Sequence, residues 1–320
     1  MKVEITNMCR HGRCKFCSPL FRPAVKESET KKFLIQFEEH VENYLRGGGK
    51  KIILTGGGEP IDAPTKLFGA LRVITEKIKC LGVELELLTV YSNGVSLLDQ
   101  SPYEIGFTNL ECLANHGVRD INLSVHGFSR QQREAISGRK MADIDFETLI
   151  PKIVGKGIRV MTRTTLARGF IDSLKEVQRF TSWMSSLGVK IVYFSDLFEV
   201  PTRNQDTTPG SQDVLKWTDE NRINFQGIIE EVKKDAHFEL VSEYTRHNDQ
   251  GMTFEFRHVS GARVMFGSLV IGNESEEAPT YAYIKPDGSM YWHNNANEVR
   301  NLVSITEMQK YRPGRRELQH

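Results

Sequence analysis

Apolar positions in the first two hundred residues fall alternately at helical and at strand spacing. Residues 29 to 46 put Leu34, Phe37, Val41 and Tyr44 on one helical face, and Gly47-Gly48-Gly49 ends the run. Lys51 to Thr55 then reads as a short apolar strand. Asp62 and Pro64 open a second helix with Leu67, Leu71, Ile74 and Ile78 inward. Val83 to Tyr91 predicts a strand, residues 101 to 116 a helix stopped at Gly117, and Asp120 to Val125 a strand. Residues 145 to 155 predict a short helix and Ile158 to Leu166 a strand. Ser173 and Glu176 form a capping-box pair for a helix bearing Val177, Phe180 and Met184. Val189 to Phe194 is a further strand. With Val3 to Ile5 as the first strand, this makes six βα-type repeats.

Apolar strands separated by amphipathic helices build a parallel sheet with right-handed crossovers. The expected fold class is therefore α/β: a partial (β/α)6 TIM-like barrel, left open, with a small C-terminal α+β extension. Chemistry in such a barrel gathers at the carboxyl ends of its strands. After residue 200 the texture changes. Residues 201 to 212 read as a loop and 218 to 234 as a helix. Thr253 to Val259, Ala262 to Ile271 and Tyr281 to His293 read as strands, the last with Asp287-Gly288 as a hairpin turn. The expected division is a barrel over 1–200 and, over 201–320, a helix plus antiparallel β extension capping the open side.

Composition narrows the class. The chain has 320 residues, is 39% hydrophobic and 26% charged, and carries a net charge of +1. No strong field recruits nucleic acid or a membrane surface, so neither is an expected partner. No apolar run reaches the ~18 residues that span a bilayer. Met1 runs straight into the first strand, which leaves no room for a targeting peptide. A cytoplasmic location is expected.

Three of the five cysteines, Cys9, Cys14 and Cys17, share one loop after the first strand, spaced C-x4-C-x2-C. Cys80 and Cys112 fall within helical patterns as small apolar residues. Three thiolates are one too few to close a four-iron cluster and leave one iron open. With His11 they would instead close a tetrahedral zinc site. The loop alone leaves iron and zinc equally open.

A second motif, Thr55-Gly56-Gly57-Gly58-Glu59-Pro60, follows the second strand. It lacks the Gly-Lys-Ser/Thr ending of a phosphate loop, and Glu59 would repel phosphate. Its glycines allow close backbone approach, and its acid suits an ammonium group.

Together the two motifs resemble the radical SAM superfamily. There a cysteine loop with an aromatic before its last cysteine, here Phe16 before Cys17, precedes a Gly-Gly-Glu-Pro turn, here Gly57 to Pro60. The first cysteine spacing is one residue longer than usual. The resemblance covers residues 1 to 197. It implies that Cys9, Cys14 and Cys17 hold a [4Fe-4S] cluster whose fourth iron is chelated by S-adenosyl-L-methionine. It implies that Gly57, Gly58 and Glu59 meet the amino group, with Phe16 and the backbone near Tyr193 bordering adenine. It also places Asn93 and Ser124 at strand ends facing the cofactor. Arg163 or Arg168 would pair with the methionine carboxylate. His126 is a candidate proton shuttle or a structural histidine.

The implied reaction is reductive cleavage to a 5′-deoxyadenosyl radical that abstracts hydrogen from a small-molecule or nucleotide-like substrate. Flavodoxin or ferredoxin would donate the electron. No cysteine follows Cys112, so a single cluster is expected. Arg257, His258, Arg263, Lys285, Trp292 and His293 form the candidate substrate-binding set. The alternatives are the same chemistry on a peptide or protein, and a non-enzyme with structural zinc.

Overall fold

The computed structural model describes residues 1–10, 14–17, 28–197, 211–245, 252–267 and 283–291. Its frame follows the alternation of the sequence. Strand β1 (Lys2–Glu4) leads through the cysteine loop to helix α1 (Thr30–Arg46). Then come β2 (Lys51–Thr55), a single 3-10 turn (Pro60–Asp62), α2 (Pro64–Leu81), β3 (Leu87–Ser92), α3 (Asn109–Asn115) and β4 (Asp120–Ser124). Helices α4 (Arg130–Ser137), α5 (Arg139–Ala142) and α6 (Phe146–Gly155) precede β5 (Arg159–Thr165), α7 (Leu174–Ser186) and β6 (Ile191–Ser195). Strands β1 to β6 pair consecutively and in parallel, as short right-handed crossovers require. This is the partial barrel, and the sheet is not closed.

Alternation along the strands sorts side chains into two faces. Leu54, Val90, Leu123, Val160 and Val192 pack outward, in one core with Phe37, Leu71, Ile150 and Phe180 of the helices. The alternate positions, including Tyr91, Asn122, Arg163 and Tyr193, face the inside of the barrel.

The C-terminal segment extends this same sheet. After α8 (Ser211–Asn221) and α9 (Phe225–Lys234) come β7 (Phe238–Thr245), β8 (Met252–His258) and β9 (Arg263–Gly267). Strand β9 lies parallel to β6, and β8 and β7 continue the edge in antiparallel order. At the other edge β10 (Tyr283–Ile284) runs parallel to β1 and turns back as β11 (Met290–Tyr291). The hairpin expected around Asp287-Gly288 is there, with Gly288 at φ 87°. The described strands thus lengthen the sheet at both edges.

Several expected elements differ. The helix over 101–116 shrinks to α3, because Thr108 and Glu111 form a reciprocal capping box that starts the helix at Asn109. Residues 101–107 form a loop with Ile105 fully exposed. The helix over 218–234 is two helices, since the Asn224 side chain caps a new start by accepting from the Gly227 amide. Helix α1 buries Phe33, Phe37, Val41 and Leu45, a straight i, i+4 row, and the expected Leu34 and Tyr44 lie partly buried beside it. Helices α4 and α5 and strand β7 were not expected at all.

Candidate functional site

The cysteine loop is bedded on the glycine turn. The Gly58 amide donates to Thr6 O at 3.0 Å and the Glu59 amide to Met8 O at 2.8 Å. The Arg10 amide donates to the Asp62 carboxylate at 2.6 Å. A Cβ on Gly58 would sit 1.9 Å from Met8 O, and one on Gly56 2.7 Å from Thr6 O. These glycines therefore let the cysteine loop approach the turn. Pro60 is buried and begins the 3-10 turn, and Gly57 is half-buried at the crest.

Helix α4 holds the loop from the other side. The Lys15 amide donates to Ile136 O at 2.9 Å, which sets the cysteine loop against the end of the helix. The Cys17 amide donates to Cys14 O, closing the C-x2-C as a tight turn. Cys9 is exposed and Cys14 and Cys17 are half-buried; none is in a disulfide. Burial, with Cys17 and Cys9 beside it, pushes the Cys14 thiol up to about 12. Three neighbouring thiolates need a metal's positive charge to coexist. An all-thiolate donor set fits an iron–sulfur cluster. His11, the fourth ligand of the zinc alternative, lies outside the described residues.

Glu59 is buried and does not turn toward the cysteines. Its carboxylate accepts from the Asn93 amide at 2.5 Å and the Ile61 amide at 3.3 Å. Burial raises it to about 7, against the opposing pull of those amides and the Ser92 hydroxyl. Asn93, held by this contact at the end of β3, points its side-chain amide at Cys9 Sγ, 3.9 Å away.

Arg163 and Arg168 separate cleanly. Arg163 faces the barrel interior with its guanidinium between two rings, 4.5 Å from the Tyr193 centroid and 5.6 Å from Tyr91. Its Nε is buried without a partner. Ser124 is its cross-strand neighbour. Arg168 is exposed outside the barrel. Its amide donates to Asn221 O and its guanidinium to Arg222 O, fixing the α8–α9 connection.

His126 is buried, 6% exposed, and its Nδ1 accepts from the Thr165 amide. Burial depresses it to about 3. A neutral ring locked to backbone fits a structural histidine better than a proton shuttle. Phe16 meets His126 edge-on at 4.7 Å and lies 6.4 Å from Trp217, in a small cluster with Ile136, Ala167 and Leu197.

Of the candidate substrate residues, Arg257, His258 and Arg263 are not brought to the cysteines. In register, Arg263 of β9 pairs with Ile191, the first residue of β6, and Arg257 pairs with Arg263. All three of Arg257, His258 and Arg263 therefore lie at the amino ends of the parallel strands, opposite the cysteine loop. Arg257 pairs with Glu239, Arg263 with Glu255, and His258 bonds Ser260. Trp292 and His293 lie outside the described residues. Sequence reasoning missed the contact of α4 with the cysteine loop, because α4 buries few apolar residues; its one signal is the capping box of Ser129 and Gln132.

No curated protein matches the sequence. Among solved structures the fold is similar to Streptococcus suis SuiB bound to S-adenosylmethionine, with TM-score 0.54 and 12% identity over 98% of this chain and 65% of that one. SuiB bound to precursor peptide SuiA gives 0.52 at 11% identity, covering 98% and 64%. The enzyme anSMEcpe with bound AdoMet gives 0.50 at 14%, covering 96% and 77%. The chain thus spans just under two thirds of SuiB's length. These likenesses are of fold. The sequence profile of the Radical SAM superfamily matches residues 3–181, more than half of the chain, and with the cysteine loop seated on its glycine turn at the carboxyl ends of a partial barrel, the chain belongs to the radical SAM superfamily.

Proposed function

We propose that the protein is a radical S-adenosylmethionine enzyme acting on a small-molecule or nucleotide-like substrate. Cys9, Cys14 and Cys17 would ligate three irons of a [4Fe-4S] cluster, leaving the fourth to the amino and carboxylate groups of S-adenosylmethionine. When bound, the cluster would supply the electron for reductive cleavage of S-adenosylmethionine. The chain's own residues bind, orient and exclude water. Arg163 offers its guanidinium fork to the methionine carboxylate, and Ser124 beside it offers a hydroxyl. The aromatic sandwich fixes the plane of that fork. Phe16, His126 and Trp217 wall off the cysteine loop from water on the α8 side.

One observation carries the reading. Arg163 is an interior cation with no carboxylate partner among the described residues, beside Ser124 at the strand ends that face the cysteine loop. No described side chain neutralises it, which suits it to an anionic ligand group. A soluble low-potential donor such as flavodoxin or ferredoxin would supply the electron, in the cytoplasm. A peptide substrate is the second reading, favoured by the fold-level likeness to SuiB, which has been seen with a precursor peptide.

Anaerobic reconstitution with iron and sulfide tests the proposal. It should give about four irons per chain and, with dithionite, release 5′-deoxyadenosine from S-adenosylmethionine. A protein that binds a single zinc and never forms 5′-deoxyadenosine defeats it. Incubating the active protein with nucleotide and peptide pools in deuterated form, and following deuterium into 5′-deoxyadenosine, separates the two substrate readings.

A further inference from the structure

The hairpin beside β1 is held by more contacts than its own length provides. Strands β10 and β11 have two residues each, and a hairpin that short is not stable by itself. Its turn is clamped by the N-terminal half of the chain. The Pro286 carbonyl accepts from the Ser28 amide, the Ser28 hydroxyl and the Lys66 ammonium, each at 3.3 Å. Gly288 lies so close on α1 that a Cβ there would sit 2.1 Å from Gln36 Oε1. The Lys285 amide closes the turn on Ser289 O at 2.9 Å.

This mount presents Lys285 to the barrel. Val3 and Ile284 pack outward in the core shared with the helices, so by alternation Lys2, Glu4, Tyr283 and Lys285 face the interior. Lys285 Nζ lies 6.0 Å from the Tyr283 ring centroid, which keeps it on that face, and Lys2 Nζ lies 5.4 Å from the same ring. Tyr283 is fully buried and Lys285 is 9% exposed. Lysines are seldom held this deep. Two ammonium groups and the Glu4 carboxylate share this corner, so its charge is positive. Five strand spacings of about 4.8 Å separate β10 from β5 along the wall, so one carboxylate cannot meet both Lys285 and Arg163. With Arg163 given to the methionine carboxylate, an anion at Lys285 belongs to another molecule.

We propose that Lys285, seconded by Lys2, forms an anion subsite on the inner wall and takes a phosphate or carboxylate group of the substrate. This rests on the radical-enzyme reading above and narrows its substrate to anionic compounds. The Lys285 ammonium binds as a compact charge with three N–H donors, which suits either group. Its role is to bind and orient.

The test is competitive acylation of the reconstituted parent, loaded with S-adenosylmethionine, by acetic anhydride, with each lysine followed by mass spectrometry. Inorganic phosphate and succinate are added separately in concentration series. At twice its dissociation constant an anion should slow acylation of Lys285 about threefold and leave Lys216 of α8, whose side chain is 76% exposed, unchanged. Protection by phosphate alone names a phosphate group, and protection by succinate alone a carboxylate. Protection by neither, or equal slowing of Lys216, overturns the proposal. Lys285→Met should bind the protecting anion at least about tenfold more weakly, as loss of a charge-assisted contact requires, and Lys285→Arg should restore it; Lys285→Met that binds as the parent does overturns the proposal, and if Lys285→Met does not fold, protection of the parent decides. Deuterium should reach 5′-deoxyadenosine only from that part of a deuterated metabolite pool which an anion exchanger retains, and transfer from the unretained part overturns the proposal as well. A parent that never forms 5′-deoxyadenosine is a different result, and it removes the radical-enzyme reading whatever Lys285 binds.

Discussion

Replacing Gly58 with alanine tests the way the two motifs are joined. The new Cβ would fall 1.9 Å from Met8 O, 2.2 Å from Met8 C and 2.7 Å from Asn7 C. All three are backbone atoms, so no side chain can rotate out of the way. The Gly58 backbone is not in the left-handed region, and the whole cost is steric. The cysteine loop must lift off the turn, which breaks the Gly58-to-Thr6 and Glu59-to-Met8 bonds. Two such bonds contribute about 2 kcal/mol, and forced overpacking adds about 1–3 kcal/mol. A loss of about 3–5 kcal/mol is expected, a large part of the total stability of a typical domain. Urea unfolding of the metal-free protein measures it. Iron uptake should fall as well, because Met8 immediately precedes Cys9. Gly155→Ala is the control, at the end of α6 with nothing within 4 Å of the added methyl; it should be neutral or stabilising by up to about 1 kcal/mol. If Gly58→Ala unfolds at the same urea concentration as Gly155→Ala and binds as much iron, the turn is not the bed of the loop.

Other outcomes follow from the same geometry. Arg163→Ala should weaken S-adenosylmethionine binding to the reconstituted protein by about tenfold to a hundredfold, the loss of a charge-assisted contact of about 1.5–3 kcal/mol, while Arg168→Ala leaves it unchanged; calorimetry reads both, and the reverse order refutes the choice of arginine. Glu59 and His126 should give opposite pH slopes. Glu59, raised by burial to about 7, favours the folded state most in acid and loses that contribution as pH climbs from about 4.5 to 7. His126, depressed to about 3, makes the fold lose stability as pH falls from about 6.5, because the unfolded chain takes the proton first. Between pH 4.5 and 6.5 each amounts to about 3 kcal/mol, and in the parent they offset. Denaturation of Glu59→Gln should therefore show stability falling with acid and His126→Gln stability rising with acid; flat profiles in both would contradict the burial argument. Thr108→Ala should cost about 1 kcal/mol by removing the cap of α3, measured by thermal unfolding.

How much of this was legible follows from where the chemistry of the sequence was redundant. Strands β2 to β6 were readable because each carries apolar residues such as Leu54, Val90 and Val192, bounded by turn residues. Helix α4 was not, because Arg-Gln-Gln-Arg-Glu offers no apolar stripe and the helix is held by Arg133 bonding to Phe128 O, Ala142 O and Ile144 O. The loop over 101–107 was misread because Ile105 and Phe107 sit at helical distance from the apolar residues of α3 yet are exposed, 97% and 44%. The cysteine loop and glycine turn were found as motifs, but the sequence could not say that they touch. The reading that glycines admit a ligand and the finding that they admit a neighbouring loop predict the same residues.

The arginine choices show a more general limit. Residue type places a cation on an inward face, but strand direction decides which end of the barrel it reaches. Arg263 opens β9, and because β9 runs parallel to β6 its first residue lies at the end away from the cysteines. Arg257 is next to last in β8, which runs the other way, and so arrives at the same wrong end. Lys285 has the opposite fate. Strand β10 is parallel to β1, with Ile284 opposite Val3, so the next residue, Lys285, comes out level with Glu4 at the end where the cysteine loop begins. It is 9% exposed there, and its amide donates to Ser289 O across the hairpin turn. Of the four described C-terminal residues with the right chemistry, topology delivers Lys285 alone to the cysteine-loop end of the sheet.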